Sequence, residues 1–321
     1  GAGGKVKPVA IARVLAMLWA QQLAAAPFAW ITNQADDTVT VIDTASGKAE
    51  ATLKVGHRPA GVVASHDGKR IYVSNPESRD ISIIDGEARS VVRTVPVGEG
   101  PLGIAISPDD RQVFISDWYT RQVVVLDSVS GEISDHIPAG NTPAGLAVTP
   151  DGKRLVVANR DDNSIMIINL EKREPVATIT VGTAPFGVTV DAGGRRAFVA
   201  NVQSSDVSVV DLDTFKVTAT LPAGSFPYAI AHVPESDRLF VTNQHDNSVS
   251  VIDLASGKTL QTLDVGDYPE GIMLHPDGRH VYVVSWFDGE VYPIDSTTLE
   301  VGPGIKSGNG SRGFGDFIAP R

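Results

Sequence analysis

The amino-acid sequence predicts an all-β seven-bladed propeller, and three observations support this. Seven glycines recur at a constant spacing of 42 residues: Gly56, Gly98, Gly140, Gly182, Gly224, Gly266 and Gly308. A proline follows three residues after each of the first six glycines. Each unit also contains four short runs rich in Val, Ile and Thr, separated by turn residues, a composition typical of strands. Four strands in roughly 40 residues make one propeller blade, and seven copies lie within the usual range of about 4–8.

One repeat shows the four predicted strands of a blade. After Pro143 the apolar run GLAVTP is followed by the turn DGK and then by RLVVAN. The turn RDDNS leads into IMIINL, and REPVATITVG completes the unit. Outside the N-terminal segment no window has sustained helical periodicity, so we expect strands throughout the repeats.

The two ends of the repeat array predict how the ring closes. Residues 28–34 (FAWITNQ) match the second strand of a blade, so the first blade lacks its innermost strand at this end. Residues 312–319 (RGFGDFIA) have the innermost-strand position in the repeat. We therefore expect the C-terminal strand to complete the first blade and residues 27–321 to form a single propeller. A linear β-solenoid, the alternative, would need atypical capping repeats.

The segment GNGSRG (residues 308–313) fits the G-x-G-x-x-G pattern of dinucleotide-binding loops. That function requires a helix after the glycines, and no helical pattern follows. We interpret the segment as a blade-to-blade loop followed by the start of the closing strand.

Residues 1–26 have the three-part layout of a signal peptide. Lys5 and Lys7 are basic, residues 9–18 are apolar apart from Arg13, and residues 24–26 are small. A retained N-terminal helix packed on the fold is the alternative. A membrane span is disfavoured because the apolar run is short and interrupted. We therefore expect a periplasmic or extracellular protein without stable membrane insertion after cleavage.

Composition excludes several function classes. The formal net charge of -11 disfavours nucleic acid as the partner. The chain has no cysteine, which excludes disulfides, thiol nucleophiles and zinc–thiolate sites. Neither an H-x-x-H metal motif nor a G-x-S-x-G nucleophile elbow occurs. We therefore predict no metal and no cofactor.

The strand segments LFVTN, IYVSN and AFVAN, together with SVSVIDLASGK, resemble the YVTN-repeat family of exported seven-bladed propellers, which are YncE-like or surface-layer-like. The resemblance extends over all seven units and implies the propeller fold. It also implies an extracytoplasmic location, since relatives include periplasmic binding proteins and proteins that accompany quinone-dependent oxidation systems. More distant seven-bladed propellers are lactonases, but none of their catalytic motifs can be placed on this chain residue by residue.

Differences between repeats indicate where function lies. An Asp or Asn closes the third strand of every repeat, which predicts a turn-capping role. One face of the ring receives the uniform turns HDGK, PDGR and TASGK, whereas the other receives the irregular loops GHRP, DWYTRQ, NQHDNS and SWFDGE. Binding residues are frequent on loops held by a rigid scaffold, so the irregular face is the predicted site.

The repeats differ most at the position four residues after the recurring glycine, directly after the repeat proline. Across the seven repeats this position is occupied by Ala60, Leu102, Ala144, Phe186, Tyr228, Glu270 and Arg312. We predict a ligand site at this end of the central channel, formed by Phe186, Tyr228, Glu270 and Arg312 with His245, Tyr268, Trp286 and Phe287 from nearby loops. Candidate interface residues are Trp118, Tyr119, His57 and Arg58.

Structural explanations exist for the same residues. Glu270 and Arg312 could pair only across the closure seam, and Trp286 and Phe287 could cover that seam. Similarly, His57 and Arg58 fit a solvated rim, and the Trp118 loop fits ordinary packing.

Two function classes are consistent with these residues. The first is a non-enzymatic exported propeller that binds a protein, peptide or small ligand. The second is a lactonase-like hydrolase that uses Glu270, Arg312 and His245. Two further polar residues are unexpected in the innermost strands: His232, interpreted as a hydrogen-bonded core residue, and Asp316.

Overall fold

The computed structural model describes residues 27–321, where the regular elements are β-strands and two short 3-10 helices. The strands form seven four-stranded antiparallel sheets, which we number blades 1 to 7 in chain order. This arrangement confirms the predicted propeller and its blade count. The predicted signal peptide or N-terminal helix at residues 1–26 lies outside the described residues.

The strand bounds follow the 42-residue repeat. Blades 1 to 3 contain β1 (Phe28–Asn33), β2 (Thr38–Asp43), β3 (Lys48–Lys54), β4 (Val62–Ala64), β5 (Arg70–Asn75), β6 (Asp80–Asp85), β7 (Ser90–Pro96), β8 (Pro101–Ile106), β9 (Gln112–Asp117), β10 (Gln122–Asp127) and β11 (Glu132–Pro138). Blades 4 and 5 contain β12 (Pro143–Val148), β13 (Arg154–Asn159), the 3-10 helix η1 (Arg160–Asp162), β14 (Ser164–Asn169), β15 (Glu174–Thr180), β16 (Pro185–Val190), β17 (Arg196–Asn201), β18 (Asp206–Asp211) and β19 (Lys216–Pro222). Blades 6 and 7 contain β20 (Pro227–Val233), β21 (Arg238–Asn243), the 3-10 helix η2 (Gln244–Asp246), β22 (Ser248–Asp253), β23 (Lys258–Asp264), β24 (Pro269–Leu274), β25 (His280–Ser285), β26 (Glu290–Asp295) and β27 (Ile305–Lys306), and the last strand, β28 (Ile318–Ala319), belongs to blade 1.

Burial explains why the middle strands are so apolar. The second and third strands of a blade contact neighbouring blades on both faces, and β21 is buried over five of its six residues. The fourth, outermost strand faces solvent, and β23 has one buried residue, Leu263. The hydrophobic core therefore lies between the blades and stabilises them by burial of apolar surface.

The ring closes as the sequence predicts. β28 pairs with β1 in antiparallel register, with Phe28 opposite Ala319. Upstream of β28, the backbone N–H of Trp30 donates to the carbonyl of Phe317 at 2.8 Å. The same segment also bonds blade 2, because the N–H of Val62 donates to the carbonyl of Phe314 at 2.9 Å. The closing segment is thus held from both sides, which removes an exposed sheet edge.

The G-x-G-x-x-G segment is a loop, as expected. The N–H of Gln34 donates to the carbonyl of Gly310 at 2.7 Å, and the N–H of Asn309 donates to the Asp36 carboxylate at 2.8 Å. The segment leads into the closing strand rather than into a helix.

Recurrent polar residues have structural roles. The Asp43 carboxylate accepts hydrogen bonds from the N–H groups of Ala45 and Ser46, and the equivalent residues of the other blades repeat this turn capping. The Asn at the end of the second strand does more than cap. In blade 4 the Asn159 side chain accepts from the N–H of Gly140 at 3.0 Å, which fixes the preceding blade-to-blade loop.

Candidate functional site

The innermost strands place three rings of side chains around the central channel. The first ring, on the irregular face, is the position singled out in the sequence: Ala60, Leu102, Ala144, Phe186, Tyr228, Glu270 and Arg312. Two residues further along each strand is the second ring: Val62, Ile104, Leu146, Val188, Ile230, Ile272 and Phe314. The third ring is nearest the opposite face: Ala64, Ile106, Val148, Val190, His232, Leu274 and Asp316.

Glu270 and Arg312 form a buried ion pair in the first ring. The Nε of Arg312 donates to Oε2 of Glu270 at 2.8 Å, and the two side chains are 13% and 6% exposed. Gln244 donates to the other Glu270 oxygen at 2.9 Å. A second nitrogen of Arg312 donates to the Tyr228 hydroxyl. Both oxygens of the carboxylate therefore have partners inside the fold.

Burial sets the protonation states of this cluster. Loss of solvent raises the pKa of Tyr228 well above its ordinary value, so its hydroxyl stays protonated. Burial alone would lower the pKa of Arg312, but Tyr228 and Glu270 outweigh it and raise that pKa. Arg312 is therefore a permanent cation that is neutralised by Glu270.

Aromatic rings close the channel beside this ion pair. Phe186 packs against Tyr228 with ring centroids 4.6 Å apart and against Phe314 at 4.9 Å. Trp118 meets the edge of Phe186 at 6.1 Å. The predicted ligand residues Phe186 and Tyr228 are therefore buried in an apolar plug, together with Phe314, which the sequence reasoning missed. The predicted interface residue Trp118 also belongs to this plug.

The predicted ligand residues from the loops, His245, Tyr268, Trp286 and Phe287, form a separate row with Phe226. We call these five residues the aromatic strip. His245 stacks on Phe226 with centroids 3.6 Å apart and lies 5.4 Å from Tyr268. Tyr268 in turn contacts Phe287 at 5.2 Å, and Phe287 contacts Trp286 at 4.8 Å. The strip crosses blades 6 and 7 and reaches blade 1, where the indole N–H of Trp286 donates to Gln34 at 3.0 Å.

The remaining interface candidates occupy other blades of the same face. Tyr119 is 72% exposed. His57 bonds the Asp37 carboxylate at 3.1 Å, and Arg58 pairs with Glu77 at 3.2 Å. A hydrogen bond from the backbone N–H of Arg58 is the main cause that lowers the pKa of Asp37. His57 and Arg58 thus belong to a solvated rim and contact carboxylates there.

A cavity of about 420 Å³ lies in the central channel, between the plug and the face that carries the uniform turns. Residues of the second and third rings line it, and no first-ring residue does. The sequence reasoning placed the pocket at the irregular end, where large first-ring residues fill the channel instead. His232 and Asp316, the two unexpected polar residues of the innermost strands, both line this cavity.

Two features are absent from residues 27–321. No group of three or more His, Asp or Glu side chains there is arranged to hold a metal ion. No helical segment in that range has the length and apolar character needed to cross a bilayer.

The fold and these features define a class: a closed propeller with one aromatic face and one open channel end. The profile of the YncE-like beta-propeller family matches residues 6–195 and again residues 190–279. Together these matches extend over most of the sequence, and the chain belongs to that family. No curated protein sequence matches the chain.

Solved structures with the same architecture include three of varied description. A functionally unknown protein from Desulfotomaculum acetoxidans superimposes with a TM-score of 0.79 at 14% identity, over 91% of this chain and 98% of that one. Kuenenia stuttgartiensis hydrazine synthase gives 0.69 at 20% identity, over 78% and 87%. The dihydro-heme d1 dehydrogenase NirN gives 0.67 at 17% identity, over 89% and 74%. At these identities the likeness shows the fold alone.

Proposed function

We propose that this chain is an exported, non-enzymatic propeller that binds a protein or peptide partner through the aromatic strip. The observation that supports this best is the continuity of the strip. Its five rings are in contact across two blades, and Phe287 at the end is 64% exposed. Exposed contiguous aromatic surface on a folded protein is typical of interaction sites.

The loops that hold the strip are fixed before any partner binds. The N–H of Gln244 donates to the carbonyl of Phe226 at 2.9 Å, and the N–H of Trp286 donates to that of Tyr268 at 2.8 Å. Asn247 accepts from the N–H of Tyr268 at 3.0 Å. A preorganised surface loses little conformational entropy on binding, which favours affinity.

The charges beside the strip indicate the chemistry of the partner. Asp246, Asp267 and Asp288 are exposed in the same loops. The loop sequences QHDN, VGDY and WFDG contain no lysine or arginine. A peptide with an apolar anchor flanked by Lys or Arg would complement both features, through ion pairs and cation–π contacts.

The geometry of the first ring argues against the hydrolase alternative. A general base needs an open oxygen within reach of its substrate. Glu270 is buried, and its two oxygens accept from Gln244 and Arg312. His245 stacks on Phe226 in the strip instead of joining this ion pair.

Export is a separate part of the proposal, and it depends on the layout of residues 1–26. Its test is the N-terminal mass of the protein isolated from its own host. A mature chain that begins at Pro27 would support cleavage, and an intact segment would contradict it. A role beside an extracytoplasmic oxidation system is supported by the family resemblance. The likeness to the NirN dehydrogenase adds no support for it, since that likeness extends only to the fold.

Peptide selection tests the binding proposal directly. A random 12-residue display library would be panned against the chain, and selected peptides would be titrated against Phe287→Ala and Tyr268→Ala. We expect peptides that combine apolar residues with Lys or Arg, and a loss of about 2 kcal/mol, roughly thirtyfold in Kd, in the variants. Phe215→Ala is the matched control, since Phe215 is also an exposed aromatic residue but lies in a strand-three to strand-four turn of blade 5. Peptides that bind all variants equally would contradict the proposal.

A further inference from the structure

The channel cavity has the size and lining of a small-molecule site. Ligand pockets are concave, mostly apolar and typically about 300–1,000 Å³ in volume, with few polar groups. The present cavity is about 420 Å³, and aliphatic side chains from five blades provide most of its wall. The aromatic plug closes the end of the cavity that points to the irregular face, so a ligand would enter from the face with the uniform turns.

Two polar side chains interrupt the aliphatic third ring, and only one of them is open. His232 is 5% exposed, and its Nε2 bonds the Asp237 carboxylate at 2.8 Å. Asp316 is 64% exposed. Its ion-pair partner among the described residues is Arg321 at 3.2 Å, and Arg321 is only 17% exposed and also donates to the carbonyl of Ala64. The accessible charge in the cavity is therefore a carboxylate.

The other ionisable groups beside the cavity are already paired within the fold. His66 bonds Asp110 at 2.5 Å, and Arg196 pairs with both Asp191 and Asp237 at 2.9 and 2.8 Å. Asp316 is the acidic residue among those that line the cavity, and its exposed carboxylate would attract a cation.

We propose that the cavity binds a small organic ammonium ion whose apolar body fills the second and third rings and whose cationic group contacts Asp316. This site goes beyond the proposed function, because it lies on the opposite face from the aromatic strip. Partner binding and ammonium binding can therefore fail independently.

A homologous series of n-alkylammonium ions, from butyl to octyl, provides the probe, with n-alkanoates of equal length as the opposite charge. Isothermal titration would measure Kd for each with the full chain. Burial of one methylene contributes roughly 0.8 kcal/mol, so affinity is expected to rise about fourfold per carbon until the cavity is full. The alkanoates should bind more weakly than the ammonium ions at every length.

Three variants separate the contributions. Asp316→Asn keeps the side-chain shape and should weaken ammonium binding about fivefold to tenfold, since it removes a charge-assisted contact. Glu235→Gln removes an exposed carboxylate from a turn on the same face and should change nothing. Val148→Trp fills the cavity and should abolish binding of every probe, with circular dichroism to verify folding.

The proposal is wrong if alkanoates bind as well as alkylammonium ions, or if affinity is independent of chain length. It is also wrong if Asp316→Asn and Glu235→Gln have the same effect. All three results remain decisive even if Val148→Trp does not fold.

Discussion

Removal of Arg312 should destabilise the whole ring, because it leaves a charge buried without its partner. The Glu270 side chain is 6% exposed in the intact protein, and in Arg312→Ala its carboxylate keeps only the hydrogen bond from Gln244. The Tyr228 hydroxyl also loses its donor. Breaking a buried ion pair from one side typically costs about 3–5 kcal/mol. We expect a loss of that size in the free energy of unfolding.

Guanidinium unfolding followed by circular dichroism would measure this loss as a shift in the midpoint at unchanged slope. Arg279→Ala is the matched control, because Arg279 pairs with Asp295 at 2.8 Å on the surface, and the loss there should be much smaller. The double variant Glu270→Leu with Arg312→Met should recover much of the stability, since no charge remains buried. A loss below about 1 kcal/mol for Arg312→Ala would refute the view of this pair as a closure clamp.

Three further predictions use the same unfolding assay. In Gly145→Ala the new methyl would lie 2.3 Å from a carbonyl oxygen of the next blade, so we expect the free energy of unfolding to fall by about 1–3 kcal/mol. Gly193→Ala is the control, because a methyl there meets nothing within 4 Å and should not change stability. Equal effects of the two substitutions would contradict this. Phe317→Ala removes a fully buried ring from the closing segment and should cost about 3–5 kcal/mol, and a smaller loss would show that closure depends little on this contact. Burial alone would raise the pKa of Asp191, but hydrogen bonds from Arg196 and the backbone hold it below 3.8. The ionised Asp191 carboxylate therefore stabilises the fold fully above pH 3.8, and this contribution disappears as the pH falls through the lower folded-state pKa. The difference in free energy of unfolding between the parent protein and Asp191→Asn should shrink below about pH 4. A difference that stays constant with pH would contradict this.

The fold could be predicted from the sequence because the repeat itself encodes it. The constant glycine spacing shows that blade 1 lacks an innermost strand at the N-terminal end and that residues 312–319 have that position in the repeat. In the structure β28 pairs with β1 there. Local strand signals, turn residues and ring closure all agree, which is the condition for a reliable prediction.

The site was predicted only in part, because side-chain packing across the channel does not follow from repeat position. Phe186 and Tyr228 were identified as exceptional residues, yet their contact with Phe314 joins different rings and blades. That contact fills the irregular end of the channel. The other end stays open because the second and third rings carry smaller aliphatic residues. His245, Tyr268, Trp286 and Phe287 were predicted from the sequence, whereas their contacts with one another and with Phe226 depend on how the loops lie in space.

The central claim is that the aromatic strip contacts a partner, and site-specific photo-crosslinking tests it most directly. A benzoylphenylalanine would replace Phe287, or Phe215 as control, in the chain produced by its own host. We expect a discrete crosslinked species at position 287 that is absent at position 215 and disappears with Tyr268→Ala. No adduct at position 287, or the same adduct at both positions, would contradict it.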